Sequence, residues 1–256
     1  DHVVADWAKT QSVGLAAQLD CGARAFDYRP YSKDGHLFAH HGGIVVHKPM
    51  DESLVEIADW CGANSEDLVI LAVSACDGDA DCYSASLELV RSHGIQIITE
   101  CSDLQSLTYE SARSLARMDN GGSLLAVFDC VESQYDPTNV CYGKGFICYE
   151  SSWGGSTEEP WEHMRNYMQD ATKQVPVDDG RLWMAQALWE SDAYGCVTGT
   201  LHNSSLLMDE TRSKMNEWVA QSIEDGVFKY LNFLEVNNVC DGGDRIVEAL
   251  NGFDVP

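Results

Sequence analysis

The chain has 256 residues, 45% of them hydrophobic, and carries 41 acidic against 16 basic side chains for a formal net charge of −25. That length and hydrophobic content suffice for a sizeable core and exclude a disordered chain. The charge excludes a nucleic-acid partner, which needs basic patches to meet phosphates, and disfavours unassisted docking on an anionic membrane.

Taken in chain order, the first residues, DHVVADWAKT, show no basic end followed by an apolar stretch, so a signal peptide is read as absent or removed. The first β-rich run, Arg24–Arg29, ends in an Asp and an Arg two apart, Asp27 and Arg29. The second, His36–His40, leads into the adjacent pair His40 and His41 and two glycines. Neighbouring side chains on a strand face opposite ways, so only one of the two histidines shares a face with any given partner. MDESLVEIADWCGA, from Met50, places Leu54, Ile57 and Ala58 on one face and Asp51 and Glu52 in a first turn, which predicts a helix.

A strand is expected at Leu68–Val73, followed by DGDADCYSASLE. There Asp77, Asp79 and Asp81 alternate and Glu88 falls at the twelfth place of an EF-hand count, although the sixth place holds Cys82 instead of Gly. Two readings stand open: a calcium site made of these four side chains, or an acidic loop leading into a helix over DCYSASLELVRSHG. Further strands are expected at Ile95–Thr99, Leu124–Phe128, Leu182–Leu188 and Tyr230–Glu235, and one further helix over DETRSKMNEWVAQSI. The aromatic residues Trp153 and Trp161 are read as packing of a long loop. Alternating strands and helices argue for a parallel sheet and an α/β fold. Without internal repeat or linker, residues 1–256 read as a single domain. The expected strands number seven, one fewer than a closed (β/α) barrel needs.

Ten cysteines with no CxxC pair fit disulfides in an oxidising compartment, hence a secreted or cell-surface protein. Cys76 with Cys82, and Cys141 with Cys148, are the expected local bridges. Asn203-Ser204-Ser205 is an N-glycosylation acceptor triplet. No run of about 18 apolar residues exists, so no membrane span is expected.

The stretch from Trp7 to Leu71 combines a Trp followed by Thr-Gln, then Gln-Leu, Gly-x-Arg, a strand ending Asp-x-Arg, and His-His-Gly. In this it resembles the X domain of phosphatidylinositol-specific phospholipase C, nearest the bacterial-type and secreted eukaryotic phospholipase C-like proteins. YLNFLEVNNVCDGGDRIVEALNG resembles the family's last strand and following helix, extending the likeness over nearly the whole chain. The resemblance implies a distorted TIM (β/α) barrel and metal-independent phosphodiester cleavage. One histidine deprotonates the inositol 2-hydroxyl, which attacks phosphorus to form a cyclic phosphate. A second protonates the leaving oxygen, an arginine meets the charge on phosphorus, and aspartates orient the imidazoles.

On this resemblance His41 matches the general acid, Asp27 the strand carboxylate and Arg29 the phosphate-stabilising arginine, with His40 beside it as a further anion contact. Arg29 stands where calcium-dependent members carry an acidic metal ligand, so the implied chemistry requires no cofactor. The general-base histidine belongs to an upstream Gly-Thr-His segment that the chain does not contain, and that segment also carries the first barrel strand. Asn232 matches the orienting aspartate of the last strand, and an amide cannot carry its charge. The expectation is a secreted phospholipase C-like protein with impaired catalysis, kept for binding a phosphoinositide or other anion or for an extracellular assembly. A protein partner, or a second copy, would complete the barrel. The alternative is an active phosphodiesterase with its base on an upstream segment.

Overall fold

The computed structural model describes residues 2–41, 43–133, 165–166, 168–173, 175, 179–188 and 193–252. Cys141, Cys148, Trp153 and Trp161 lie outside the described residues. In chain order, helices α1 (His2–Ala8) and α2 (Leu15–Asp20) precede strands β1 (Ala25–Tyr28), β2 (Pro30–Lys33), β3 (His36–His41) and β4 (Ile44–Pro49). Helix α3 (Met50–Ala63), β5 (Leu68–Val73), the short β6 (Asp77–Gly78), α4 (Cys82–Ser92), β7 (Gln96–Ile98), α5 (Tyr109–Leu115), β8 (Ser123–Phe128) and β9 (Val131–Ser133) follow. After β10 (Leu182–Ala187) come α6 (Ala193–Leu201), α7 (Leu206–Ser213), α8 (Met215–Glu224), β11 (Phe233–Val236) and α9 (Gly243–Asn251).

The chain packs as two units. The first comprises Leu15–Glu132 with Asp178–Leu182, and the second Asp1–Gly14, Ser133–Val177 and Trp183–Pro256. In the first unit, β1, β5, β8 and β7 form a parallel sheet in that order. Alternate residues of these strands, among them Phe26, Tyr28, Val69, Leu71, Val73, Leu124, Ala126 and Phe128, bury against Leu54, Ile57 and Trp60 of α3 and Val90 of α4. Each buried Val, Leu, Ile or Phe among them contributes about 1.5–3 kcal/mol, so the apolar stripe of MDESLVEIADWCGA is what docks α3.

The second sheet of this unit was not foreseen. β4, β3, β2 and β6 line up in that order, with β3 antiparallel to both neighbours, so His36–His41 is a hairpin strand and not a strand of the parallel sheet. The turn between β2 and β3 is Asp34-Gly35, both at positive φ (52° and 74°), the mirror-image two-residue turn whose twist suits a hairpin. Disulfides join Cys76 to Cys82 and Cys101 to Cys130, the latter pair without a sequence signal. Cys21 of this unit is also disulfide-bonded.

In the second unit, β10 and β11 pair in parallel, and Ala185, Ala187, Leu234 and Val236 face a core of Met215, Val219, Ile223, Phe228 and Ile246. The expected single helix over DETRSKMNEWVAQSI is instead two, α7 and α8, broken at Lys214 in the left-handed conformation (φ 56°). The break lets buried Asn216 donate its amide to the carbonyls of Asn237, Asn238 and Asp241 at 3.0–3.2 Å, tying α8 to the loop after β11. Among the described residues no helix is long and apolar enough to cross a membrane.

Candidate functional site

On β1 the alternation that sends Phe26 and Tyr28 into the core leaves Asp27 on the other face, with Arg29 continuing that face just past the strand. Arg29 is the single residue between β1 of the parallel sheet and β2 of the antiparallel one. Its Nε and Nη2 donate to Asp27 Oδ2 at 3.0 and 2.8 Å, with 30% of the Arg29 and 15% of the Asp27 side chain exposed. Two N–H groups on one carboxylate fix the plane of the guanidinium as well as its position.

The register of β2 with β3, Pro30 opposite Ala39, continues one step to Arg29 opposite His40, whose N–H donates to the Arg29 carbonyl at 2.9 Å. Cross-strand partners share a face. His40 therefore stands on the Asp27–Arg29 side, its ring 5.7 Å from that of Tyr31. His41 falls on the opposite face, with Leu37 and Ala39, at the exposed end of β3. Sequence matching put the proton donor at His41; the structure pairs Asp27 with Arg29, places His40 on their face and places His41 on the other.

His40 Nε2 lies 2.9 Å from the carbonyl oxygen of Ala75. A carbonyl only accepts, so Nε2 carries the hydrogen of this bond. Ala75 is itself held at φ 49°, next to the Cys76–Cys82 bridge and to β6, which pairs with β2 through Tyr31–Asp77 and Ser32–Gly78. At Gly78 (φ 93°) a Cβ would come within 2.0 Å of the Ser32 carbonyl, so only glycine lets this loop approach.

The acidic loop is correspondingly engaged. The Asp77 carboxylate accepts from the Gly78 N–H at 2.7 Å, Asp79 receives the Ser32 hydroxyl at 3.4 Å, Asp81 precedes α4, and Glu88 lies exposed on it. The EF-hand count is thus spread over a strand, a turn and a helix, and the structure does not gather Asp77, Asp79, Asp81 and Glu88. Among the described residues no group of three or more His, Cys, Asp or Glu is placed to hold a metal ion. Nearby, burial and then the carboxylates of Asp129 and Glu100 raise the Tyr83 phenol above its ordinary range.

In the second unit, Asn232 lies just ahead of β11, and its side-chain oxygen accepts the Trp183 N–H at 2.9 Å. That is the N-terminal end of the strand, whereas functional side chains of parallel α/β sheets collect at C-terminal ends. The acidic side chain in the C-terminal half of β11 is Glu235, which accepts from Gln186 of β10 at 2.7 Å. Glu235 and Gln186 face away from the helices, and the sequence reading missed both. The signal available was a lone acid in the apolar run FLEV.

No protein-family model matches the sequence, and no curated protein matches it by sequence. Solved structures do match. A pentafluorophenylalanine-containing phosphatidylinositol-specific phospholipase C of Staphylococcus aureus is similar at TM-score 0.62 and 14% identity, over 97% of this chain and 87% of that one. A point mutant of the same enzyme gives TM-score 0.63 with the same identity and coverage. The phosphatidylinositol-specific phospholipase C of Listeria monocytogenes gives 0.57 at 13% identity, over 97% and 86%. Strand order, helix placement and this likeness along 97% of the sequence give the chain the α/β fold of phosphatidylinositol-specific phospholipase C.

Proposed function

We propose that this chain recognises a phosphate ester of the phosphatidylinositol headgroup class through Arg29, held by Asp27 and faced by His40, and that it serves in binding outside the cytoplasm without completing the hydrolysis itself. The observation that carries the reading is the guanidinium fixed by two N–H bonds on one Asp27 oxygen with an imidazole on the same face. A pre-oriented guanidinium meets phosphate oxygens with planar N–H pairs, and the Asp27 carboxylate sets its orientation at no cost on binding. Two-imidazole cleavage needs a second proton carrier. The other described histidines of the first unit are engaged elsewhere: His36 at the far end of β3, His47 against Phe38, His93 on Asp51 at 2.8 Å, and His41 on the opposite face. The disulfides support residence in an oxidising compartment.

A second reading, metal-independent phosphodiester cleavage, draws support from His40, whose imidazole stands on the Asp27–Arg29 face and is held in place by the Ala75 carbonyl. The test titrates the chain with inositol 1-phosphate by calorimetry and assays diacylglycerol release from phosphatidylinositol vesicles in chelator. Saturable binding weakened about 10- to 100-fold in Arg29→Gln, with no release, is expected. Release lost in His40→Ala would replace the first reading with the second, and absence of both binding and release would end both.

A further inference from the structure

We infer that Asn203 carries an N-linked oligosaccharide, and that the turn between α6 and α7 is built to present it. Three consecutive residues of this turn have three separate tasks. Asn203 adopts the left-handed conformation (φ 57°) just past the end of α6. Its N–H donates to the Thr200 carbonyl at 3.1 Å, and the Ser204 N–H donates to that of Gly199 at 2.8 Å. This pair of bonds is the Schellman helix ending, in which asparagine is the usual substitute for glycine. Ser204 turns inward: it is buried, and its hydroxyl donates to the buried Asp209 carboxylate at 2.7 Å. Ser205 starts α7, its hydroxyl accepting the Met208 N–H at 3.3 Å.

The left-handed backbone of Asn203 and the inward pull on Ser204 leave the Asn203 side chain outside. It is exposed, and among the described residues its carboxamide makes no hydrogen bond. The acceptor triplet therefore sits where a large sugar disturbs neither helix. Large apolar side chains are exposed on both helices that the turn joins: Val197 and Leu201, one turn apart on α6, are 60% and 76% exposed, and Met208 on α7 is 49% exposed. An oligosaccharide rooted at Asn203, in the turn between these two helices, adds polar surface next to exposed apolar side chains. In the modification, the amide nitrogen of Asn203 bonds to the anomeric carbon of a polyprenyl-diphosphate-linked oligosaccharide, the amide loses a proton, and the carbon–oxygen bond to the diphosphate breaks, releasing polyprenyl diphosphate.

The turn's own geometry separates the sugar from the fold. Asn203→Gly keeps the left-handed helix ending and removes the acceptor. Ser205→Asp keeps a helix cap and removes the required hydroxyl, while Ser205→Thr keeps both. The full chain with a secretory leader is expressed in eukaryotic cells, and its mass is read before and after peptide N-glycosidase in secreted and cell-retained pools. Expected is an oligosaccharide in wild type and Ser205→Thr, with Asn203 converted to aspartate on release, and none in Asn203→Gly or Ser205→Asp. Thermal midpoints of the deglycosylated wild type and these variants should agree within about 4 °C. An unmodified Asn203 in wild type, beside a control secretory protein glycosylated in the same cells, overturns the inference. The inference shares the extracytoplasmic residence proposed above but not the phosphate site, so calorimetry with inositol 1-phosphate reports on that site separately.

Discussion

At the scale of single residues, Asp27 works through Arg29. Asparagine in its place keeps an acceptor oxygen but not the charge that holds both N–H groups. Asp27→Asn is expected to weaken inositol phosphate binding about tenfold while leaving the fold intact. A rise in affinity would mean that Asp27 acts only as a repelling charge. Two buried acids make stability depend on alkaline pH. Burial pushes the Tyr28 phenol and the Cys61 thiol up to about 12, from ordinary values of 10 and 9. Both groups are neutral in the folded state, so their contribution is intact below pH 9. It is lost as pH rises towards 12, because the unfolded chain ionises first, at up to about 1.4 kcal/mol per pH unit for each group. Urea unfolding from pH 8 to 10 should show a falling midpoint in wild type and a flatter one in Cys61→Ala; identical slopes would remove Cys61 from the account. Asp27 and Arg29 were legible in the sequence because Asp-x-Arg at a strand end fixes a shared face. The choice between His40 and His41 was not, since it turns on one step of cross-strand register that only the β2–β3 pairing supplies. Asn232 and Glu235 lie three residues apart in one short run, and only the strand's starting point decides which stands at its C-terminal half.

At the scale of elements, α3 and β5 carry the residue ranges expected of them, because an apolar stripe at helical spacing and an apolar run between turns leave little choice. The hairpin of β2 and β3 has its sequence signal in Asp34-Gly35. The split of α7 from α8 had no local signal: the sequence is helical on both sides of Lys214, and the break is imposed by Asn216 reaching the carbonyls after β11. Lys214→Gly should therefore raise stability by about 0.5–1 kcal/mol, since glycine adopts the left-handed conformation without a Cβ clash. Asn216→Ala should lower it by about 1–3 kcal/mol, because the buried Asn237 carbonyl loses its donor and those of Asn238 and Asp241 each lose one bond. Guanidinium unfolding of both variants checks the pair, and a stabilising Asn216→Ala would show that the break has another cause.

At the scale of the whole molecule, the cysteine count pointed to disulfides but not to their partners, because pairing is a property of the folded chain. The Cys101–Cys130 bridge closes 29 residues and Cys76–Cys82 closes 6. On loop-closure entropy the longer is worth about 3–4 kcal/mol and the shorter about 2. Thermal unfolding of the double alanine variants should rank them in that order, whereas Cys76→Ala/Cys82→Ala alone should weaken inositol phosphate binding, because that bridge adjoins the Ala75 carbonyl on which His40 rests. Equal effects on binding would detach the loop from the site. The α/β class followed from the alternation of strands and helices, while the antiparallel sheet did not, because its strands are short and partly exposed.

The alternation along β1 also bears on how such a chain changes over generations. Phe26 and Tyr28 answer to packing, while Asp27 and Arg29 answer to whatever meets the other face. Selection on stability and selection on chemistry thus act on interleaved positions of one strand with little cross-talk. A ligand can therefore be lost, exchanged or reacquired here by substitutions that leave the core unchanged.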